Sequence, residues 1–211
     1  LESLMIYLEP KWKSYIVTSN EPVFDKEQCE HIIRIGQTLP QEKARVGSEK
    51  KKLTTDNPKK IDTAGTDDKD KRITTVSWLP FNMPEAKPVY ERIDQWIRNI
   101  NINHFGFEGI QVTEQAQYTE YPTGAFYDWH TDNDTSMVNQ PPVRKISMTL
   151  LLSDPADFEG GELEMIDDKA RPKMKRGHAI FFASFIRHRV KPVTKGNRKS
   201  LVMWFGGPPF K

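Results

Sequence analysis

The sequence predicts a mainly β domain with flanking helices, arranged as a double-sheet jelly roll. Three observations lead there. From residue 111 onward the chain is an almost unbroken succession of short extended stretches. Turn signals rich in Gly, Pro, Asn and Asp separate them. Two stretches of helical periodicity lie upstream. Strands this short and this closely spaced bury one face each by rolling into two facing sheets, and the helices then cover the outside of one. At 211 residues the chain is expected to be a single domain, 1–211. Its helical support is 1–110 and its jelly-roll core 111–211.

Each element has its own warrant. Residues 14–18, Ser-Tyr-Ile-Val-Thr, read as a short strand. Asp25 is placed as a helix N-cap, with Gln28 three positions on and an apolar stripe of Cys29, Ile32 and Ile33; this helix is expected to end between Gly36 and Pro40. Between 41 and 72, lysine clusters alternate with acids among Thr, Asn and Gly. That stretch reads as a flexible polar loop, or as a lid that orders over a site. Residues 73–79 return to strand chemistry, and Pro80 and Pro84 bracket a turn. Val89, Ile93, Trp96, Ile97 and Ile100 recur at helical spacing, which predicts a helix over 85–101. Strands are then expected at 111–121, 125–131, 145–153, 162–166, 178–183, 188–194 and 199–205. The turns between them include 122–124, 157–161, 175–177 and 195–197.

Composition narrows the function classes. Charged residues are 28% and hydrophobic residues 36%, the balance of a globular protein, and the formal net charge is only +2. That charge, and acids interleaved with the lysines of 41–72, argue against a nucleic-acid surface. No apolar run is long enough to span a bilayer, so no membrane partner is expected. A single cysteine, Cys29, excludes an internal disulfide and a thiolate zinc site. It suits a reducing compartment, and a cytoplasmic setting is expected.

The chemistry concentrates in Tyr127-Asp128-Trp129-His130-Thr131-Asp132-Asn133. On a strand, residues two apart share a face, so His130 and Asp132 can grip one ion. Asp128 has the same parity and is the rival carboxylate. A third ligand must come from elsewhere, and His188 is the candidate, because a rolled sheet makes distant strands neighbours. Two imidazoles and one carboxylate form the facial set of non-haem Fe(II) oxygenases, with positions left open. A second constellation is Arg198-Lys199-Ser200. Arg198, Ser200, Val202 and Trp204 alternate onto one strand face, and a guanidinium facing into a barrel needs an anion. Arginine is suited to hold a carboxylate through two parallel hydrogen bonds.

Five segments carry a further resemblance: 121–132 (Tyr-Pro-Thr-Gly-Ala-Phe-Tyr-Asp-Trp-His-Thr-Asp), 144–154, 158–163 (Phe-Glu-Gly-Gly-Glu-Leu), 177–182 and 188–204. Together they resemble the Fe(II)/2-oxoglutarate dioxygenases, most closely the prolyl 4-hydroxylase-like branch. The resemblance implies a double-stranded β-helix with Fe(II) on His130, Asp132 and His188. It implies that Arg198, helped by Ser200, binds the distal carboxylate of 2-oxoglutarate, and that Tyr121 and Tyr127 line the same pocket. It implies consumption of O2, release of succinate and CO2, and hydroxylation of an unactivated C–H bond, with ascorbate as an auxiliary. A prolyl residue of a peptide or protein is the substrate it suggests first; Trp78, Trp129 and Trp204 are then candidates for the surface that receives it. The sequence departs from the branch at Leu151, where some members carry a carboxylate-binding tyrosine, and at Arg198, where collagen-type members carry lysine. Three readings stay open beside this one: the same chemistry on a free amino acid or other small molecule, a non-enzymatic jelly roll that holds a metal, and nucleic-acid demethylation.

Overall fold

The computed structural model describes residues 14–44, 72–133, 142–166 and 172–210. Strand β1 (Ile16–Thr18) is followed by α1 (Lys26–Thr38). A capping box opens that helix. The Asp25 carboxylate accepts from the Gln28 backbone N–H at 2.8 Å, and the Gln28 side chain accepts from the Asp25 N–H at 3.0 Å. Strands β2 (Glu42–Lys43), β3 (Arg72–Ile73) and β4 (Thr75–Leu79) come next. Helix α2 (Lys87–Ile100) starts behind a 3-10 turn at Pro84–Ala86 and runs on into one π-helical turn, Asn101–Phe105. The remainder is β5 (Gln111–Val112), β6 (Ala116–Pro122), β7 (Phe126–His130), β8 (Val143–Leu151), β9 (Phe158–Gly160), β10 (Leu163–Met165), β11 (Ala179–Ala183), β12 (His188–Val190) and β13 (Val193–Gly207).

All strand pairs are antiparallel. The larger sheet runs β1-β11-β8-β13-β6-β4-β2, with β5 and β9 also paired to β13. The smaller runs β10-β12-β7-β3. From β6 on, β6, β8, β11 and β13 of the larger sheet interleave along the chain with β7, β10 and β12 of the smaller, which is the jelly-roll pattern expected from the strand density. Several boundaries moved. The stretch expected as one strand over 111–121 breaks at 113–115, between β5 and β6. The turn expected at 157–161 contains β9, which pairs with the start of β13. The turn expected at 195–197 is absorbed into β13, the longest strand and the spine of the larger sheet. Most of the loop read at 41–72 lies outside the described residues. Among the described residues no helix is long and apolar enough to cross a membrane.

The two faces of the larger sheet differ. The outer face carries Tyr118, Met148, Leu150 and Met203, which meet Cys29 and Ile32 of α1 and Val89 and Ile93 of α2 in the main core. Tyr90 stitches α2 to the sheet: its hydroxyl donates to the Leu79 carbonyl at 2.6 Å and accepts from the Ala116 N–H at 2.9 Å. Gly36 is where α1 comes closest, since a Cβ there would stand 2.3 Å from the Tyr118 ring. The inner face is polar over much of its area. Gln117, Thr119, Ser147, Thr149, Arg198 and Ser200 are all buried on it. A second, smaller apolar cluster, with Ala125, Met165, Phe182 and Val190, closes one part of the space between the sheets. A buried polar lining is costly unless something hydrogen-bonds to it, and it marks this space as the place to look for a site.

Candidate active site

His130 ends β7, His188 begins β12, and these two residues face each other directly in the strand pairing. Asp132 lies two residues beyond the end of β7. Its backbone N–H donates to the Ser184 carbonyl at 3.0 Å, and the Asn133 N–H donates to the same oxygen at 3.1 Å. The strand read as reaching residue 131 therefore stops one short, and this loop bond delivers the carboxylate. Ligand atoms of His130, Asp132 and His188 lie within 4.8 Å of one another, the one such His/Cys/Asp/Glu cluster among the described residues. The Nε2 atoms of His130 and His188 each stand 3.6 Å from one Asp132 oxygen.

The surrounding bonds fix the donor atoms. His130 Nδ1 is 2.7 Å from the Asp128 carbonyl, and His188 Nδ1 is 3.0 Å from the Ile186 carbonyl. A carbonyl only accepts, so each Nδ1 carries a proton, and Nε2 is the ring atom that each histidine presents on the Asp132 side. Burial, reinforced by His188 alongside, holds the His130 imidazolium pKa down at about 3, so the ring is neutral at any ordinary pH. Burial alone would raise Asp132, but His188, His130, Arg144 and a Ser147 hydrogen bond outweigh it and hold the carboxyl below its usual range. Two imidazoles and one carboxylate with their ligand atoms gathered within 4.8 Å fit a divalent metal with positions left for other ligands.

A bulge in β7 decides which neighbours look inward. His130 pairs with His188, but Tyr127 pairs with Val190, so three steps on β7 span two on β12. The extra residue puts Tyr127 on the His130 face. Their rings stack at 3.5 Å with 12° between planes. It also removes Asp128 from that face. Asp128 is exposed and lies outside the cluster, so the parity argument that made it a rival carboxylate fails at the bulge. Trp129 turns the other way. Its ring packs against the guanidinium groups of Arg187 at 5.3 Å and Arg189 at 4.7 Å. Those residues alternate with His188, so Trp129 lies on the reverse face and is not brought to the triad.

Arg198 is 2% exposed, and no carboxylate among the described residues pairs with it. Its Nη1 donates to Ser200 Oγ at 3.3 Å, its Nη2 approaches the Met174 sulfur at 3.5 Å, and its guanidinium lies 5.3 Å from the Tyr121 ring centre. Burial lowers its pKa, opposed by Tyr121. Gly161 makes room for it: φ is +67°, and a Cβ there would come within 2.9 Å of the Arg198 Cδ. Ser200 and Leu151 are direct partners across β13 and β8, so the apolar residue stands beside this group.

Trp78 and Trp204 share the inner face of the larger sheet, their rings 6.2 Å apart. Trp204 is buried and its indole N–H has no partner among the described residues, whereas the Trp78 N–H donates to Glu42 at 2.8 Å. Two residues near the site were not singled out from the sequence. Arg144 stacks 4.1 Å over Trp204, donates to the Asp132 backbone carbonyl at 3.3 Å and is ion-paired to Glu114. Arg72 is buried with its guanidinium 4.3 Å over Tyr127 and its Nε without a partner among the described residues. Neither sits in a motif by itself. Arg144 points inward because Lys145 is an extra residue on β8: Phe205 pairs with Ile146, but Gly206 pairs with Arg144.

A jelly roll holding a facial imidazole-imidazole-carboxylate set has the architecture of a non-haem metal oxygenase. Comparison with known proteins agrees. Residues 116–206 match the family model of the 2OG-Fe(II) oxygenase superfamily. A PKHD-type hydroxylase of Colwellia psychrerythraea is 36% identical over 138 residues, which is 56% of this chain and 61% of that protein. The chain thus spans about three fifths of the length of that relative. Among solved structures, the viral collagen prolyl hydroxylase of Paramecium Bursaria Chlorella virus-1, in its 2OG complex, is similar in fold. Its TM-score is 0.65 at 20% identity, covering 92% of this chain and 97% of that one. A prolyl hydroxylase of Trichoplax adhaerens, in complex with a hypoxia inducible factor oxygen degradation domain peptide fragment, gives a TM-score of 0.66 at 15% identity, covering 92% and 84%.

Proposed function

We propose that the chain, acting as one domain over 1–211, is an Fe(II)- and 2-oxoglutarate-dependent dioxygenase that hydroxylates a prolyl residue of a peptide or protein. The observation that carries this reading is Arg198. A buried guanidinium with no carboxylate among the described residues to neutralise it is costly. It lies on the inner face of the larger sheet, toward which the two imidazoles and Asp132 also turn. A small dicarboxylate is the anion that such a site accepts.

On this reading His130, Asp132 and His188 hold Fe(II), and Arg198 and Ser200 hold the distal carboxylate of 2-oxoglutarate, with Tyr121 alongside. The iron and its ketoacid, when bound, supply the O2-dependent decarboxylation to succinate and CO2 that is coupled to C–H hydroxylation. The chain's own work is placement. The Nδ1–H bonds to Asp128 and Ile186 keep both imidazole rings from rotating. Tyr127, stacked on His130 and its phenol pushed up to about 12 by burial, stays a neutral wall. Trp204, Trp78 and the Arg144–Glu114 pair form the side on which a proline ring and its backbone can rest. Ascorbate as an auxiliary and a cytoplasmic setting belong to the same proposal, the latter on the buried free thiol of Cys29.

The peptide assignment is supported by the solved prolyl hydroxylases of similar fold, one named for collagen and one holding a peptide. The test is succinate release in the presence of Fe(II) and 2-oxoglutarate, with prolyl peptides and free amino acids compared as stimulants. An anaerobic titration should show a visible charge-transfer band that Asp132→Ala abolishes and Arg198→Ala shifts to higher ketoacid concentration. Stimulation by free amino acids alone would move the substrate to the small-molecule class. Absence of both succinate and the band would end the oxygenase reading.

A further inference from the structure

The reverse face of the smaller sheet carries a second set of contacts aligned behind the metal-ligand candidates. Arg189 is paired with Glu164 across β12 and β10: its Nε donates at 2.8 Å, and its Nη2 stands 2.7 Å from the same oxygen. Glu164 is only 1% exposed, so this carboxylate is fixed in place by the fold. The Arg189 guanidinium then lies 4.7 Å from the Trp129 ring centre, and Arg187 approaches the same ring at 5.3 Å. The row spans three strands, from Glu164 on β10 through Arg189 on β12 to Trp129 on β7. Its last two members are sequence neighbours of the ligand candidates. Trp129 precedes His130, and Arg187 and Arg189 flank His188.

Neighbouring strand residues point to opposite faces, so anchoring one fixes where the next one looks. The anchorage matters here because the β7–β12 pairing is bulged at this point: Tyr127 pairs with Val190 while His130 pairs with His188. A bulge leaves one residue unpaired and disrupts the ladder locally. The ladder alone is then a weak constraint on the separation of the His130 and His188 Nε2 atoms.

We infer that Glu164, Arg189 and Trp129 are positioning residues, which clamp the bulged β7–β12 pair from behind and so set the spacing of His130 and His188 for a metal. The inference rests on the metal reading above. It assigns Trp129 a role away from substrate, and it gives the acid of Leu163-Glu164-Met165 a function beyond strand packing.

The test uses Co(II), whose visible absorption reports ligand geometry without turnover. The whole chain is compared with Trp129→Leu, Trp129→Phe and the charge-free double variant Glu164→Leu/Arg189→Leu, which avoids stranding one buried charge. Dissociation constant and band shape are read by titration, and metal-free melting temperature separately. Supporting partners of metal ligands typically change affinity by about 10- to 100-fold. Trp129→Leu and the double variant should therefore bind Co(II) at least about 10-fold more weakly, with altered bands, while Trp129→Phe, which keeps the ring face for Arg189, should bind close to the parent. A parent that binds Co(II) and a Trp129→Leu variant that binds it equally well with the same bands would overturn the clamp. Loss of melting temperature alone, with the metal-bound spectrum and affinity intact, would also overturn it. A parent with no Asp132-dependent Co(II) bands would instead overturn the metal reading beneath it.

Discussion

Replacing Arg198 by Met should move stability and ketoacid affinity in opposite directions. In the metal-free protein the guanidinium is buried with one hydroxyl, one thioether and one aromatic face for company. Exchanging a buried charge for an apolar chain of similar length stabilises by about 1–4 kcal/mol in favourable cases. The Ser200 hydroxyl and the Tyr121 ring offset part of the desolvation cost, so about 1–2 kcal/mol is the sensible figure here. For a chain of this size that is a rise of roughly 2–8 °C in melting temperature. Binding changes the other way. Hydrogen bonds to charged groups contribute about 1.5–3 kcal/mol. Losing the guanidinium should therefore weaken 2-oxoglutarate by about 2–3 kcal/mol, roughly 30- to 140-fold. The melting temperature is measured in excess chelator. The ketoacid is then titrated calorimetrically into Mn(II)-loaded protein. A variant that melts lower than the parent in chelator and still binds 2-oxoglutarate normally would show that Arg198 is a structural residue, and the account of the cavity would fail with it.

Three further outcomes follow from particular contacts. Gly161→Ala forces a non-glycine residue to φ +67° with its methyl within 2.9 Å of the Arg198 Cδ; a cost of about 1–2 kcal/mol is expected, along with weaker ketoacid binding, and unchanged affinity would mean the guanidinium does not depend on that gap. Asp25→Ala removes the side-chain cap on the Gln28 N–H, one half of the α1 capping box, and should lower stability by about 1 kcal/mol in a denaturant titration, leaving the Co(II) dissociation constant untouched because α1 packs on the outer face. Burial pushes the Cys29 thiol from 9.0 to about 11. The unfolded chain therefore ionises first as pH rises, and the thiol's contribution, full below 9.0, is lost toward 11. The parent should lose about 2–3 kcal/mol more than Cys29→Ala across that window, and native protein at pH 8 should resist alkylation until it unfolds.

The parts of this molecule that follow strict periodicity were legible in its sequence. Helix α1 begins at the Asp25 cap because Gln28 completes a reciprocal pair, and both residues can be read directly. The strand face of Arg198, Ser200, Val202 and Trp204 was equally readable, since β13 keeps its register there against both β6 and β8. Strand β9 was not, because Phe158, Glu159 and Gly160 sit among turn residues and become a strand only by pairing with β13. That pairing is a long-range event with no local signature.

Asp128, read by parity as a rival ligand, and Arg144, which parity leaves unmarked, share one cause. Alternation assigns Asp128 to the face of His130 and Tyr127 to the other, and it assigns Arg144 to the face of Ile146. One extra residue in β7 and one in β8 reverse these assignments, and both bulges lie where the strands meet the site. A regular ladder cannot present His130, Tyr127 and Asp132 to one cavity: the tyrosine, an odd number of residues from both ligands, would face away. The bulge permits a ring stacked on His130 at 3.5 Å together with a carboxylate delivered from the following loop. At β8 the extra Lys145 frees Arg144 to cover Trp204 and reach the Asp132 carbonyl, while Lys145 itself turns out to the ring of Phe210 at 3.4 Å. Irregular register is therefore the means by which side chains of opposite parity gather at one point, and sequence parity is least informative where the chemistry is densest.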